Sequence, residues 1–147
     1  CVGCGRCIGI CNFDAINSPN DEAVDILNKK MAEYALAVVK DRPQFHISLI
    51  CDVSPNCDCH AENDAPIVPN IGMLASFDMV ALDKACADLV NEQTAFENSN
   101  LGEHIKQHIK EKDNFHINHP DTHWESQIEH GEKIGLGSSE YELIEIK

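Results

Sequence analysis

Cys1-Val-Gly-Cys4-Gly-Arg-Cys7-Ile-Gly-Ile-Cys11-Asn-Phe-Asp-Ala-Ile16 opens the chain, and the rest of the sequence is interpreted around this stretch. Its four cysteines follow the C-x2-C-x2-C-x3-C spacing that is typical of bacterial proteins with a cubane 4Fe-4S cluster. Thiolates that converge on a cubane require a tightly curled loop, and the glycines between them allow that curl. We therefore predict a ferredoxin-type segment over residues 1–20. Its expected cluster ligands are Cys1, Cys4, Cys7 and Cys11.

The fourth cluster ligand stays open at the level of sequence. In two-cluster ferredoxins the last cysteine of the run binds the other cluster and is followed by Pro. Here Asn12 follows Cys11, and the chain contains no second run of this kind. Either Cys11 completes its own cluster or a distant cysteine does so. A zinc site is disfavoured, because zinc knuckles normally pair two separate C-x2-C motifs.

A second group of possible metal ligands follows in a polar loop. It consists of Cys51, Cys57, Cys59 and His60. Cys57 and Cys59 are too close for a relaxed disulfide, but both can reach one metal if the loop bends. Three interpretations remain: a separate site for zinc or iron, a fourth ligand for the cubane, or two incidental thiols.

Composition limits the classes of partner. The 147 residues carry a formal net charge of -14, which argues against nucleic acid and anionic membranes and predicts a basic redox protein as partner. No apolar run approaches the length of a membrane span. Eight cysteines together with a cluster motif predict a reducing cytoplasm. Because the chain starts on a predicted ligand rather than on Met, we interpret it as part of something longer.

Hydrophobic patterning predicts an α/β or α+β domain over residues 21–147, with a mixed sheet flanked by helices. The expected helices cover about 21–40, 78–91, 102–112 and 121–135, and the expected strands lie at 45–53, within 67–75 and at 141–144. Asp78 is the expected N-cap of the second helix. Thr122 and Glu125 have the spacing of a capping box for the last one.

Burial can also be predicted from these patterns. The first helix is expected to turn its apolar stripe toward the core; this stripe consists of Val24, Leu27, Met31, Tyr34, Ala35 and Val38. The strand at 45–53 is apolar on both faces, which indicates an interior position. Cys86 is interpreted as a buried small hydrophobe. Three histidines near Pro120 have irregular spacing and no clear carboxylate motif, so we interpret them as packing residues; they are His116, His119 and His123.

Several motifs occur together in a specific order. After the opening cysteines come Met31-Ala-Glu-Tyr-Ala35, Cys57-Asp-Cys59, Ala65-Pro-Ile-Val-Pro69, Ile71-Gly-Met-Leu-Ala-Ser76 and Val80-Ala-Leu-Asp83. In this order they resemble the later part of the family called domain of unknown function 362. The resemblance implies a ferredoxin-type 4Fe-4S segment within an α/β domain whose earlier half precedes this chain, and it implies a role for Cys57 and Cys59. The family has no assigned reaction, so the resemblance implies none here.

Overall fold

The structure, a computed structural model, describes residues 10–12, 22–57, 63–107 and 113–146. Helices and a small sheet alternate along these residues, which confirms the predicted combination of α and β structure. The helices are α1 (Glu22–Val39), α2 (Met79–Glu92), α3 (Asn100–Gln107), α4 (Asn114–Asn118) and α5 (Glu125–Lys133). The strands are β1 (His46–Ile50) and β2 (Gly72–Ser76). None of the described helices is both long and apolar enough to cross a membrane.

The two strands pair antiparallel, with His46 opposite Ser76 and Ile50 opposite Gly72. One face of this sheet packs against α2. On that face Ile50 is 5 % exposed, and the partly buried Leu74 packs against the same core. The sheet therefore has a covered face, which positions the loop that follows β1.

Helix α2 begins where the sequence predicts. The carboxylate of Asp78 accepts hydrogen bonds from the backbone N–H groups of Val80 and Ala81 at 2.9 and 3.0 Å. These amides have no partner within the helix, so the cap stabilises its first turn. The predicted inward positions Leu82 and Ala85 are buried.

The core lies between α2, the sheet and the segment after residue 63. Its fully or nearly fully buried members are Ile50, Ile67, Val68, Val90 and Leu101. Backbone hydrogen bonds connect the segment after residue 63 to its neighbours. The N–H of Ile67 donates to the carbonyl of Val53, and the carbonyl of Ile67 accepts from the N–H of Phe96. These contacts anchor both ends of the loop that holds the second group of predicted ligands.

The orientation predicted for α1 is wrong. Its bounds agree with the prediction, but Leu27, Met31, Tyr34 and Val38 are all at least half exposed. The helix instead buries Ala32 and packs on α5. Polar contacts hold this face: Asn28 Nδ2 donates to the carbonyl of His123 at 2.8 Å and to Ser126 Oγ at 3.0 Å. The face of α1 that contacts α5 is therefore the one that carries the Asn28 hydrogen bonds, not the one with the largest apolar area.

The interior position predicted for the first strand is also wrong. Ile47 and Leu49 are 59 % and 67 % exposed, and Met73 on the neighbouring strand is 67 % exposed. Among the described residues only one side of the sheet is covered, so the second apolar face meets solvent. Phe45, just before β1, and Phe77, just after β2, contact each other with tilted rings whose centroids are 5.1 Å apart.

Two predictions near the carboxyl end also fail. Residues 141–144 form no strand, and their side chains are exposed. The capping box is absent, because Thr122 Oγ1 donates to the carbonyl of His119 and the cap position of α5 is Trp124. The predicted helix stop is confirmed: Gly135 has φ 77°, and Leu136 N–H donates to the carbonyl of Gly131.

Candidate metal-binding residues

The predicted cluster ligands lie mostly outside the part of the chain that the structure describes. Cys1, Cys4 and Cys7 belong to residues 1–9, so the ferredoxin-type segment stays a prediction. Cys11 is described and is partly buried. Its neighbours Ile10 and Asn12 are exposed.

Cys51 and Cys57, two residues of the second predicted ligand group, lie on the loop after β1, where both are exposed. Cys59 and His60 lie outside the described residues. Cys51 follows the last residue of β1 directly, and the next residue, Asp52, has φ 50°. The backbone N–H of Asp52 donates to Asn70 Oδ1 at 2.8 Å, which fixes the turn that leaves the sheet.

Asn63 closes the base of this loop. Its Nδ2 donates to Ser54 Oγ and to the carbonyl of Asn56, both at 3.0 Å, and its Oδ1 accepts from the N–H of Asn56 at 3.3 Å. One side chain therefore joins the two ends of the segment that contains Cys57, Cys59 and His60.

The loop is also held from the other side by the end of α4. The carbonyl of the buried Pro55 accepts from Asn118 Nδ2 at 2.7 Å and from His119 Nε2 at 2.6 Å. Since a carbonyl only accepts, Nε2 of His119 carries the proton. His119 is exposed rather than packed, and this hydrogen bond lets it position the cysteine loop.

A different group of side chains meets where α4 approaches the start of α5. Asp113 Oδ2 lies 2.7 Å from His116 Nδ1, and Glu125 Oε2 lies 3.8 Å from His116 Nε2. One donor atom from each of the three residues lies within 4.8 Å of the others. Side-chain exposures are 25 % for Asp113, 18 % for His116 and 43 % for Glu125, so the group is partly shielded.

Asp113 has two functions in this group. Its Oδ1 accepts from the backbone N–H of His116 at 3.0 Å and caps α4, while Oδ2 holds the imidazole. Trp124 Nε1 lies 3.5 Å from the same Oδ2, and the Trp124 ring packs against Phe115 at 5.8 Å. Partial burial raises the pKa of Asp113, but the hydrogen bonds from the backbone and ring of His116 outweigh burial and leave that pKa below its usual value.

His123 lies next to this group, with its ring centroid 6.5 Å from that of His116. Its Nδ1 lies 2.9 Å from Asp25 Oδ1 of α1. The interpretation of His116 as a packing residue is therefore incomplete. Sequence reasoning missed its carboxylate partners because Asp113 and Glu125 are separated by the irregular segment around Pro120. The available signal was Asp113 at an N-cap position three residues before His116.

The remaining cysteine agrees with its predicted role. Cys86 lies on the face of α2 that meets β1 and packs partly buried against the core. Burial raises the pKa of its thiol, while a hydrogen bond with Ser48 acts in the opposite direction. A thiol in this environment is a poor metal ligand, because the thiolate is the ligating form.

Comparison with known proteins identifies a family for this chain. No curated protein and no solved structure matches this chain. A family described as Domain of unknown function (DUF362) matches residues 7–88, a range that starts at Cys7 and ends in α2. This range includes the loop with Cys51 and Cys57 but excludes Asp113, His116 and Glu125. Because the matched range covers more than half of the sequence, the chain belongs to the DUF362 family.

Proposed function

We propose that this chain binds a 4Fe-4S cluster and transfers single electrons to a protein partner. The observation that carries the proposal is the C-x2-C-x2-C-x3-C run of Cys1, Cys4, Cys7 and Cys11. Thiolate-held clusters exchange one electron, and negative charge around them disfavours the reduced state. With a net charge of -14, the chain is therefore expected to have a low reduction potential. The same charge favours a basic partner, and the exposed thiols favour a reducing cytoplasm.

The anchored loop after β1 supports a contribution to the same centre or to a second one. Asn63 on one side and the Pro55 carbonyl on the other restrict the segment that contains Cys57. Restricted loops lose less conformational freedom when they bind a metal, so the cost of ordering the ligands is reduced.

The first experiment is anaerobic purification, with iron and sulfide analysis and electron paramagnetic resonance after reduction with dithionite. About four irons per chain and a reduced-cluster signal are expected. Cys4→Ser should abolish both. Cys86→Ala is the matched control, since it removes a cysteine that packs in the core and should leave the iron content unchanged. A folded wild-type chain that is colourless and free of iron would refute the proposal.

A second set of variants identifies the fourth ligand. Cys11→Ser and Cys57→Ser are compared by iron content and by the cluster spectrum. If Cys11 completes the cubane, only its replacement destabilises the cluster. If the cluster is lost on replacing Cys57 instead, the loop after β1 supplies the ligand.

The alternative function is that of a non-redox metal-binding or structural module. It is supported by the anchored loop after β1, whose sequence contains Cys51, Cys57, Cys59 and His60. This alternative predicts a zinc or iron ion that disappears in a Cys57→Ser, Cys59→Ser double variant while the cubane spectrum is retained. X-ray absorption at the zinc and iron edges distinguishes the two outcomes, since thiolate sulfur binds zinc at about 2.3 Å.

A further inference from the structure

The two nitrogens of the His116 ring have different partners. Nδ1 lies 2.7 Å from Asp113 Oδ2, and an ionised carboxylate can only accept, so Nδ1 donates. In the tautomer with this single proton, the lone pair of Nε2 is available to a metal, and Nε2 lies 3.8 Å from Glu125 Oε2. This separation is too long for a hydrogen bond. His116 and Glu125 nevertheless each contribute one atom to the group of donors that lie within 4.8 Å of one another.

The spacing of these two atoms suits a shared metal ion. Zinc binds imidazole nitrogen at about 2.0–2.1 Å and carboxylate oxygen at about 2.0–2.2 Å, so two tetrahedral ligands lie about 3.4 Å apart. The 3.8 Å between Nε2 of His116 and Oε2 of Glu125 is only slightly larger. Glu125 lies at the start of α5 with a 43 % exposed side chain, so a small rotation closes the difference.

His123 provides a second imidazole with a carboxylate at Nδ1. His123 Nδ1 lies 2.9 Å from Asp25 Oδ1, so this ring also donates from Nδ1, and in the tautomer with this single proton Nε2 is available to a metal. Two imidazoles on one tetrahedral metal have ring centroids about 5 Å apart. The rings of His116 and His123 are 6.5 Å apart. His123 lies outside the group of donor atoms within 4.8 Å of one another, and its side chain is 56 % exposed, so it joins the ligands by a change of its side-chain torsions.

Both histidines thus have the outer partner that metal-binding histidines usually have. A carboxylate on the far ring nitrogen fixes the tautomer, orients the ring and makes the ligating nitrogen more basic. Asp113 fills this position for His116, and Asp25 fills it for His123. Because these carboxylates come from α1 and from the segment before α4, the arrangement exists only in the folded chain.

We propose that His116, His123 and Glu125 bind one divalent transition-metal ion of the zinc type, with Asp113 and Asp25 as positioning residues. Two imidazoles and a carboxylate form a borderline donor set that suits zinc and related ions better than calcium or magnesium. The site is independent of the predicted cubane, since it contains no cysteine. It also lies outside the range matched by the DUF362 family, which ends at residue 88.

Zinc titration of the intact, anaerobically purified chain tests the proposal by isothermal titration calorimetry, combined with X-ray absorption at the zinc edge. The expected wild-type result is one zinc bound by nitrogen and oxygen donors at about 2.0–2.2 Å. Any zinc held by the cysteine loop would instead show sulfur at about 2.3 Å, so the two sites are distinguishable. His116→Asn and Glu125→Gln should each abolish the nitrogen and oxygen site.

Further variants separate ligands from positioning residues. Asn caps a helix about as well as Asp, so Asp113→Asn keeps the start of α4 but weakens the hold on the ring; a 10- to 100-fold loss of zinc affinity is expected. His123→Asn should weaken binding more than Asp113→Asn does, and wild-type affinity in that variant would overturn the assignment of the third ligand.

His130→Gln is the matched control. His130 also lies on α5 and pairs with a carboxylate, Glu33 at 3.2 Å, but no second carboxylate of the described residues lies at its ring. Its replacement should leave zinc affinity unchanged. Circular dichroism verifies that each variant is folded. The proposal is overturned if the wild type takes up no zinc on nitrogen and oxygen donors, or if folded His116→Asn and Glu125→Gln bind it as the wild type does.

Discussion

Asp78 and Ser138, 60 residues apart in the sequence, are joined by a hydrogen bond of 2.8 Å from the backbone N–H of Ser138 to Asp78 Oδ2. The other oxygen of the same carboxylate caps α2 through Val80 and Ala81. One side chain therefore starts a helix and fastens the segment that follows α5. Gly137 is placed so close that a Cβ there would collide with Asp78 Oδ1.

We expect Asp78→Ala to lower the free energy of unfolding by about 1–3 kcal/mol, because it removes a helix cap and leaves the Ser138 N–H without its partner. Urea denaturation followed by circular dichroism measures the change. Asp121→Ala is the control, since Asp121 is exposed and lies outside the helices. Equal stabilities of the two variants would contradict the double role of Asp78.

Gly102 gives a second prediction about packing. It is buried in the first turn of α3, where an added Cβ would collide with the carbonyl oxygen of Phe96 and lie 2.8 Å from that of Glu97. Backbone atoms cannot rotate away as side chains do, so Gly102→Ala should cost about 1–3 kcal/mol despite the better helix propensity of Ala. The neighbouring exposed position provides the comparison, and Glu103→Ala should be nearly neutral in the same urea experiment. A neutral Gly102→Ala would show that α3 packs differently.

The two faces of β1 are tested by a pair of adjacent substitutions. Ile50 is 5 % exposed and belongs to the core, whereas Leu49 is 67 % exposed. Ile50→Ala is expected to cost about 2–5 kcal/mol through lost burial and a residual cavity. Leu49→Ala should change stability by less than about 0.5 kcal/mol. Thermal unfolding of both variants measures the difference, and similar losses would mean that the outer face of the sheet is covered.

Tyr141 allows a prediction about alkaline pH. Desolvation, together with the hydrogen bond and the negative charge of Asp88, raises the pKa of Tyr141 from 10.0 to about 12. Because the folded-state pKa is the higher one, the stabilisation is complete below pH 10 and is lost as the pH rises through about 12. The absorbance difference between wild type and Tyr141→Phe isolates this phenolate. The midpoint of its pH titration should fall in Asp88→Asn, because this variant lacks the negative charge beside the Tyr141 hydroxyl. An unchanged midpoint would argue against the 2.8 Å contact.

Local signals in the sequence determined the positions of several elements. The hydrophobic period predicts the bounds of α1 and α2. A carboxylate just before a helix predicts the cap at Asp78, and a glycine, which adopts positive φ easily, predicts the stop at Gly135. These features depend on contacts within a few residues. The ordered motifs likewise sufficed to indicate the DUF362 family.

The tertiary structure decided which surfaces meet. The period of α1 predicted an apolar inward stripe, but hydrogen bonds from Asn28 to the segment at His123 and Ser126 turn a different face toward α5. Asp113, His116 and Glu125 come together for the same reason, because the irregular chain around Pro120 brings the first residue of α5 back to the side chains at the start of α4. The spacing of apolar residues in the sequence shows which residues share one face of a helix. It does not show which segment that face contacts, because this depends on packing between parts of the chain that are distant in sequence.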